Sequence, residues 1–163
     1  MNQTPVKQAH INASGFMVLG RNRVKAISFT GSATAGYVSL FDTTVAPVTT
    51  ATYGRSGTTV TVSSTGHGLV TGQVVGFDWA AGTGGTATNG NYPITRVDAN
   101  TFTITDINSG TITGSPGLVY ANRWILTYDV AASDTFNNSP FIRDDGVIVT
   151  DGVYAQLSNV VRS

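Results

Sequence analysis

The sequence predicts an all-β protein, and three observations carry that expectation. No stretch of about twelve residues repeats apolar side chains at three-and-four spacing with helix formers between them. Glu is absent, Thr and Val abound, and Gly supplies 19 of the 163 residues. Short runs alternate apolar with polar side chains and are bounded by glycine-marked turns, as half-buried strands are.

Residues 1–15 carry few large apolar side chains and read as an arm or lead-in. Residues 16–19 form a short apolar strand ending at Gly20. Arg21, Arg23 and Lys25 follow at a spacing of two, which on a strand sends them to one face. They read either as a solvated strand face or as a small cationic patch for a phosphate or an acidic partner. Residues 24–30 alternate and include Ile27 and Phe29, and 31–36 are a turn of small residues. In the next strand, 37–42, Tyr37 and Phe41 share one face and Val38 and Leu40 the other, so both faces are expected to be covered. Residues 43–51, with Pro47 and repeated Thr, read as a linker.

Residues 57–105 are the most legible stretch. Residues 58–63 alternate Thr with Val60 and Val62. Gly66-His67-Gly68-Leu69 and Thr71-Gly72 are two glycine-marked turns. Residues 73–79 place Val75, Phe77 and Trp79 on one face. A glycine-rich excursion over 80–90 leads to a strand over 91–97. Asp98-Ala99-Asn100 turns the chain, and 101–105 send Phe102 and Ile104 to one side. Four such strands suffice for a small β-barrel or sandwich. Its expected core is Val60, Val62, Val75, Phe77, Tyr92, Ile94, Phe102 and Ile104.

Residues 108–118, with three glycines and Pro116, read as a return linker holding a short strand at 111–113. Residues 123–130 form a strand with Trp124, Leu126, Tyr128 and Val130 on one face. A polar loop over 131–140 and an apolar piece at 140–142 follow. Asp151-Gly152 between 147–150 and 153–157 predicts a hairpin, and the end near Val160-Val161 is expected to be paired. Removing 49–119 would join 37–42 to 123–130 as neighbours in a hairpin. The expected architecture is a small, jelly-roll-like β-sandwich from 1–48 and 120–163, interrupted by a β module at 49–119.

The run TTVTVSSTGHGLVTGQVVGFDW, followed by GNYPITRVDANTFTITD, resembles a small β module common in virion proteins of tailed bacteriophages. That module is often compared with the first catalytic-cysteine half-domain of ubiquitin-activating enzymes, a likeness of β topology. This chain has no cysteine, which excludes thioester chemistry. The outer runs VKAISFTGSATAGYVSLFD and GVIVTDGVYAQLSNV resemble a class of small phage structural proteins. The resemblances imply a non-enzymatic virion component, a capsid decoration or cement protein first. A tail or fibre-associated component, or a carbohydrate- or receptor-binding module, is the alternative. The implied partners are the major capsid protein or tail subunits, together with copies of the chain itself, a trimer favoured. The implied location is the virion, after synthesis in a bacterial cytoplasm.

Composition narrows the classes further. Only 11% of residues are charged, and nine basic residues balance nine acidic ones, against about 25% charged in ordinary domains. A neutral chain lacks the basic stripe expected of a nucleic-acid binder and the polybasic patch expected at a membrane. No window approaches the roughly eighteen apolar residues needed to span a bilayer. The start, Met1 to Pro5, lacks a basic region followed by an apolar run, so no signal peptide is expected.

No catalytic, metal or cofactor site is expected. His10 and His67 are the only histidines. His67, between two glycines, reads as a turn residue whose ring bonds nearby backbone, and zinc needs more ligands at set spacing. Asp144-Asp145-Gly146 and Asp151-Gly152 read as turn chemistry, because they miss the spacing of a calcium loop. Residues 82–90 lack the Lys and the following helix of a phosphate cradle. Ser14 and Ser28 have no visible His-Asp context. Aromatics in or beside the module divide: Phe77 and Tyr92 read as core, while Trp79, Tyr53 and Tyr120, with Arg21 and Arg23, are the candidate interface or ligand contacts.

Overall fold

The structure is a computed structural model of the chain, and it describes residues 11, 13–31, 33–133, 135–137, 146–158 and 161–162. The lead-in over 1–10 with His10, the apolar piece at 140–142 and Asp144-Asp145 lie outside the described residues. The described chain is all β, with sixteen strands and no helix. The first four are β1 (Gly15–Leu19), β2 (Asn22–Val24), β3 (Ser28–Gly31) and β4 (Gly36–Asp42). Then come β5 (Val48–Ser56), β6 (Thr59–Ser63), β7 (Val74–Trp79), β8 (Gly90–Pro93), β9 (Thr95–Arg96), β10 (Thr101–Thr105) and β11 (Gly117–Ala121). The last are β12 (Arg123–Val130), β13 (Thr135–Asn137), β14 (Val147–Val149), β15 (Gly152–Leu157) and β16 (Val161–Arg162).

Strands β5 to β11 form one antiparallel sheet in the order β8-β7-β11-β5-β6-β10-β9. Its two edges are neighbours in sequence, separated by Ile94 alone. Residues 90–96 therefore close the sheet on itself, pairing with β7 as β8 and with β10 as β9. Ile94 makes the splice: its N–H donates to Gln73 O at 2.9 Å, and its carbonyl accepts from Gly72 N at 2.8 Å. β5 and β6 join through Gly57-Thr58, where Gly57 has φ +61°, the positive first turn position that matches strand twist. Alternation then fills the barrel with Val60, Val62, Val75, Phe77, Phe102 and Ile104.

The remaining strands form a second unit around the sheet β1-β15-β4-β12. Its ladders bend rather than stop. Leu19 pairs with Gly152 and Asn22 with Val149, so β1–β15 resumes in step as β2–β14. The β4–β12 ladder is followed by β3–β13 with a one-residue shift, Gly36 pairing with Val130 and Thr30 with Thr135. Val38, Leu40, Val130, Val149, Val153 and Ala155 pack into a core separate from the barrel's. A chain folded back in this way gives the sandwich-like, all-β architecture.

Several elements differ from the sequence reading, each for a physical reason. The expected linker over 43–51 ends at 47: residues 48–51 begin a central barrel strand that runs to Ser56, with Ala51, Tyr53 and Arg55 buried. The expected return linker supplies Ile112 to the core, bridged to Arg55, and begins β11 at Gly117. The expected strand 24–30 is split, because Ile27 turns into the outer core between β2 and β3. The expected strand 91–97 is broken at Ile94 by barrel closure. β14 and β15 do not form a hairpin, since β14 pairs with β2 and β15 with β1 and β4. Trp124 and Leu126 do not share a face: a bulge at Ile125 sets Trp124 opposite Phe41 but Leu126 opposite Leu40.

Candidate functional site

The barrel sits on one face of the outer sheet, and the contact is built from both backbone and side chains. Tyr37, Ser39 and Phe41 of β4 face it, as do Trp124, Thr127 and Asp129, their β12 partners. Val74, Gly76 and Asp78 alternate outward on β7, because Val75, Phe77 and Trp79 point into the barrel. At Gly76 the two backbones touch. A Cβ there would lie 1.8 Å from Trp124 N, so only glycine fits. Asn91 beside it donates to Trp124 O at 3.0 Å and accepts from Trp124 N at 2.8 Å, the pair of bonds a neighbouring strand would make.

Next to this clasp lies a buried polar chain. Ser39 Oγ donates to Asp78 Oδ2. Ser39 Oγ and Thr127 Oγ1 are 2.9 Å apart, and Trp124 Nε1 donates to Thr127 Oγ1 at 2.9 Å. Asn89 Nδ2 donates to Asp78 Oδ1 at 2.6 Å. Each hydroxyl has one hydrogen, so with Ser39 donating to Asp78, Thr127 donates to Ser39. Burial pushes the Asp78 carboxyl above the ordinary Asp range. Ser39, Asn89 and Thr127 hold it back, and Asp129 adds to the rise.

A second carboxylate pins the point where the barrel is inserted. Asp42 ends β4 and is 2% exposed. It accepts backbone N–H groups from Thr150 (3.0 Å), Asp151 (2.9 Å) and Gly152 (3.1 Å), and Arg123 NH2 lies 3.2 Å away. Burial alone would raise its carboxyl. The three backbone donors and Arg123 outweigh that and hold it below the ordinary range. These donors explain why Asp151-Gly152 makes no hairpin turn. The barrel has its own internal pair, Arg55 and Asp106, with Arg55 also donating to Gly110 O at 3.3 Å.

Three of the candidate contacts belong to the barrel's core. Tyr53, Trp79 and Tyr120 are at most 5% exposed. Trp79 stacks on Phe77 at 4.7 Å and meets Tyr53 edge-on at 4.7 Å. Their polar tips are used inside: Trp79 Nε1 on Thr88 O, Tyr53 OH on Ala80 O, and Tyr120 OH with Ser64 Oγ. Their expected role as surface contacts is therefore corrected to that of core residues. Arg21 and Arg23 are exposed, with Arg23 directly opposite Ile148 in the β2–β14 ladder. Leu19 at 64% and Ile148 at 42% exposure add an apolar component that the sequence reading missed. The signal was faint, because Leu19 follows Met17 and Val18, and Ile148 lies between Val147 and Val149, all of which pack on the outer core.

His67 is a turn residue. Its Nδ1 accepts Leu69 N–H at 3.0 Å, its Nε2 bonds Asp98 O at 3.1 Å, and its ring meets the edge of Phe102. Among the described residues no cluster of three or more His, Asp or Glu side chains is placed to hold a metal. Comparison of the chain with protein-family models, curated proteins and solved structures finds no match in any of the three.

Proposed function

We propose that this chain is a non-enzymatic structural component of a tailed-phage virion, a capsid decoration or cement protein docked on other virion subunits as a homo-oligomer. The observation that carries the reading is the exposed surface at β1, β2 and β14. Leu19, Arg21, Arg23 and Ile148 combine apolar area with positive charge on an otherwise charge-poor chain. Apolar contact supplies affinity, and the arginines select an acidic subunit surface. The two sequence resemblances to phage virion proteins point the same way. The burial of Tyr53, Trp79 and Tyr120 weighs against a sugar-stacking barrel.

An antibody against the recombinant chain, used in immuno-electron microscopy of purified particles, tests the reading. Label on the head is expected, and label on the tail would move the docking site there. Particles lacking both the label and the chain's peptides would overturn the proposal. The paired substitution Leu19→Asp with Arg21→Glu should abolish incorporation without changing the melt.

A further inference from the structure

The contact between barrel and sheet buries a carboxylate that no cation among the described residues faces. Asp78 is 7% exposed. The charged and titratable groups facing it are Asp129 on β12 and Tyr37 on β4. From β11 its Cα partner is Val119, and from the loop before β8 it meets Asn89. Only neutral donors, the Ser39 hydroxyl and the Asn89 amide, hold an ionised carboxylate here, and a second carboxylate, Asp129, repels it.

We propose that Asp78 is a proton-operated latch, in which protonation at Asp78 Oδ2 seats the barrel on the outer sheet and ionisation loosens it. The hydrogen-bond chain supports both states. When Asp78 is ionised, the chain runs from Trp124 Nε1 through Thr127 and Ser39 to Asp78 Oδ2. When Asp78 is protonated, Oδ2–H donates to Ser39 Oγ, and Ser39 turns its hydrogen onto Thr127 Oγ1. Thr127 Oγ1 has two acceptor positions, so it takes Ser39 and Trp124 together. No buried charge then remains, and Asp129 faces a neutral group. The upward displacement of the Asp78 carboxyl agrees in sign. A carboxyl raised on seating strengthens the seat below its free value and loses that contribution as pH rises through the seated value. The latch rests on this contact alone and is independent of the virion reading.

The test uses the full chain in two measurements. The first follows the Asp78 carboxyl carbon by NMR from pH 3 to 8, in steps of about one unit. The second follows amide exchange at Trp124, whose N–H is bonded to Asn91 Oδ1, with Val62 in the barrel wall as reference. Asp78 is expected to titrate above the ordinary Asp range. Protection at Trp124, corrected for intrinsic exchange, should rise as pH falls through that titration, by at most about tenfold per unit for one proton. Val62 should not follow the same curve. Asp78→Asn, which keeps the shape and removes the charge, should be protected at neutral pH and flat across the titration. If that variant does not fold, Ser39→Ala decides, since losing this donor should move the Asp78 titration further up. Asp78 titrating at or below the ordinary range, or Asp78→Asn no better protected at neutral pH than the native chain, would overturn the latch.

Discussion

Asp42 and Arg123 are Cα partners on the last rung of the β4–β12 ladder, and the whole barrel leaves and returns between them. One residue, Asn122, separates β11 from β12. The entry side is equally fixed: Thr43 N donates to Gly152 O at 3.0 Å, and Thr43 Oγ1 bonds both the N–H and the carbonyl of Val45. Connections this short and bonded orient the barrel rather than tether it loosely.

The outer unit is therefore expected to survive removal of the barrel. Replacing residues 43–122 by an Asn-Gly turn joins Asp42 to Arg123 in the geometry that a two-residue hairpin favours. Far-UV circular dichroism should remain that of a β protein with a cooperative melt. The melting temperature should fall, because Phe41 loses its cover. A chain without a cooperative melt would show that the two cores depend on each other.

Gly76→Ala should cost about 3 kcal/mol in urea denaturation of the full chain, at the upper end of overpacking effects. The added methyl meets the backbone of Trp124, which cannot step aside without breaking the Asn91 clasp. In a fragment of residues 46–122, which lacks Trp124, the same substitution should be silent. An equal cost in both would place the strain inside the barrel.

Asp106→Ala should cost about 3–5 kcal/mol, because it leaves the Arg55 guanidinium buried without its anion. Replacing both residues by apolar ones of similar volume should cost much less. Equilibrium denaturation of the three variants decides, and a double variant as weak as the single one would remove the charge argument.

Asp42→Asn should lower stability by about 2 kcal/mol at pH 7, since hydrogen bonds to a charged group are lost. The folded carboxyl lies below its ordinary value. Its contribution is therefore present above the unfolded value, about 3.9, and is lost as pH falls through the folded one. The difference between variant and native chain should shrink as pH drops below that range. Melts from pH 2 to 7 (at roughly unit intervals) would expose a deficit that did not change with pH.

The legible strands were those whose partners impose strict alternation. Val60 and Val62 on β6 oppose Ile104 and Phe102 on β10, and polar Thr lies between them on both strands. β5 hid because its inward residues are Ala51, Tyr53 and Arg55, which share no hydropathy. The anion that makes Arg55 a core residue is Asp106, five strands later in the chain. Trp79 looked like a rim residue because it ends a strand before a glycine-rich loop. That loop folds back to give Thr88 O to its indole and Asn89 Oδ1 to its backbone. The turn at Asp151 was misread because the carboxylate that captures it stands 109 residues earlier in the chain. Such pairings are set by tertiary structure, and no local window contains them.

The clasp between Asn91 and Trp124 has a consequence for descent. Asn91 reads only the backbone of the strand that carries the barrel, and Gly76 asks only that this backbone come close. A coding segment whose two ends meet on one rung, and whose grip ignores side chains, can be lifted out of one gene and dropped into another hairpin by recombination. The recipient need not evolve a matching surface first. Selection can then refine the contact afterwards, one residue at a time, as Ser39 and Asp78 exemplify here.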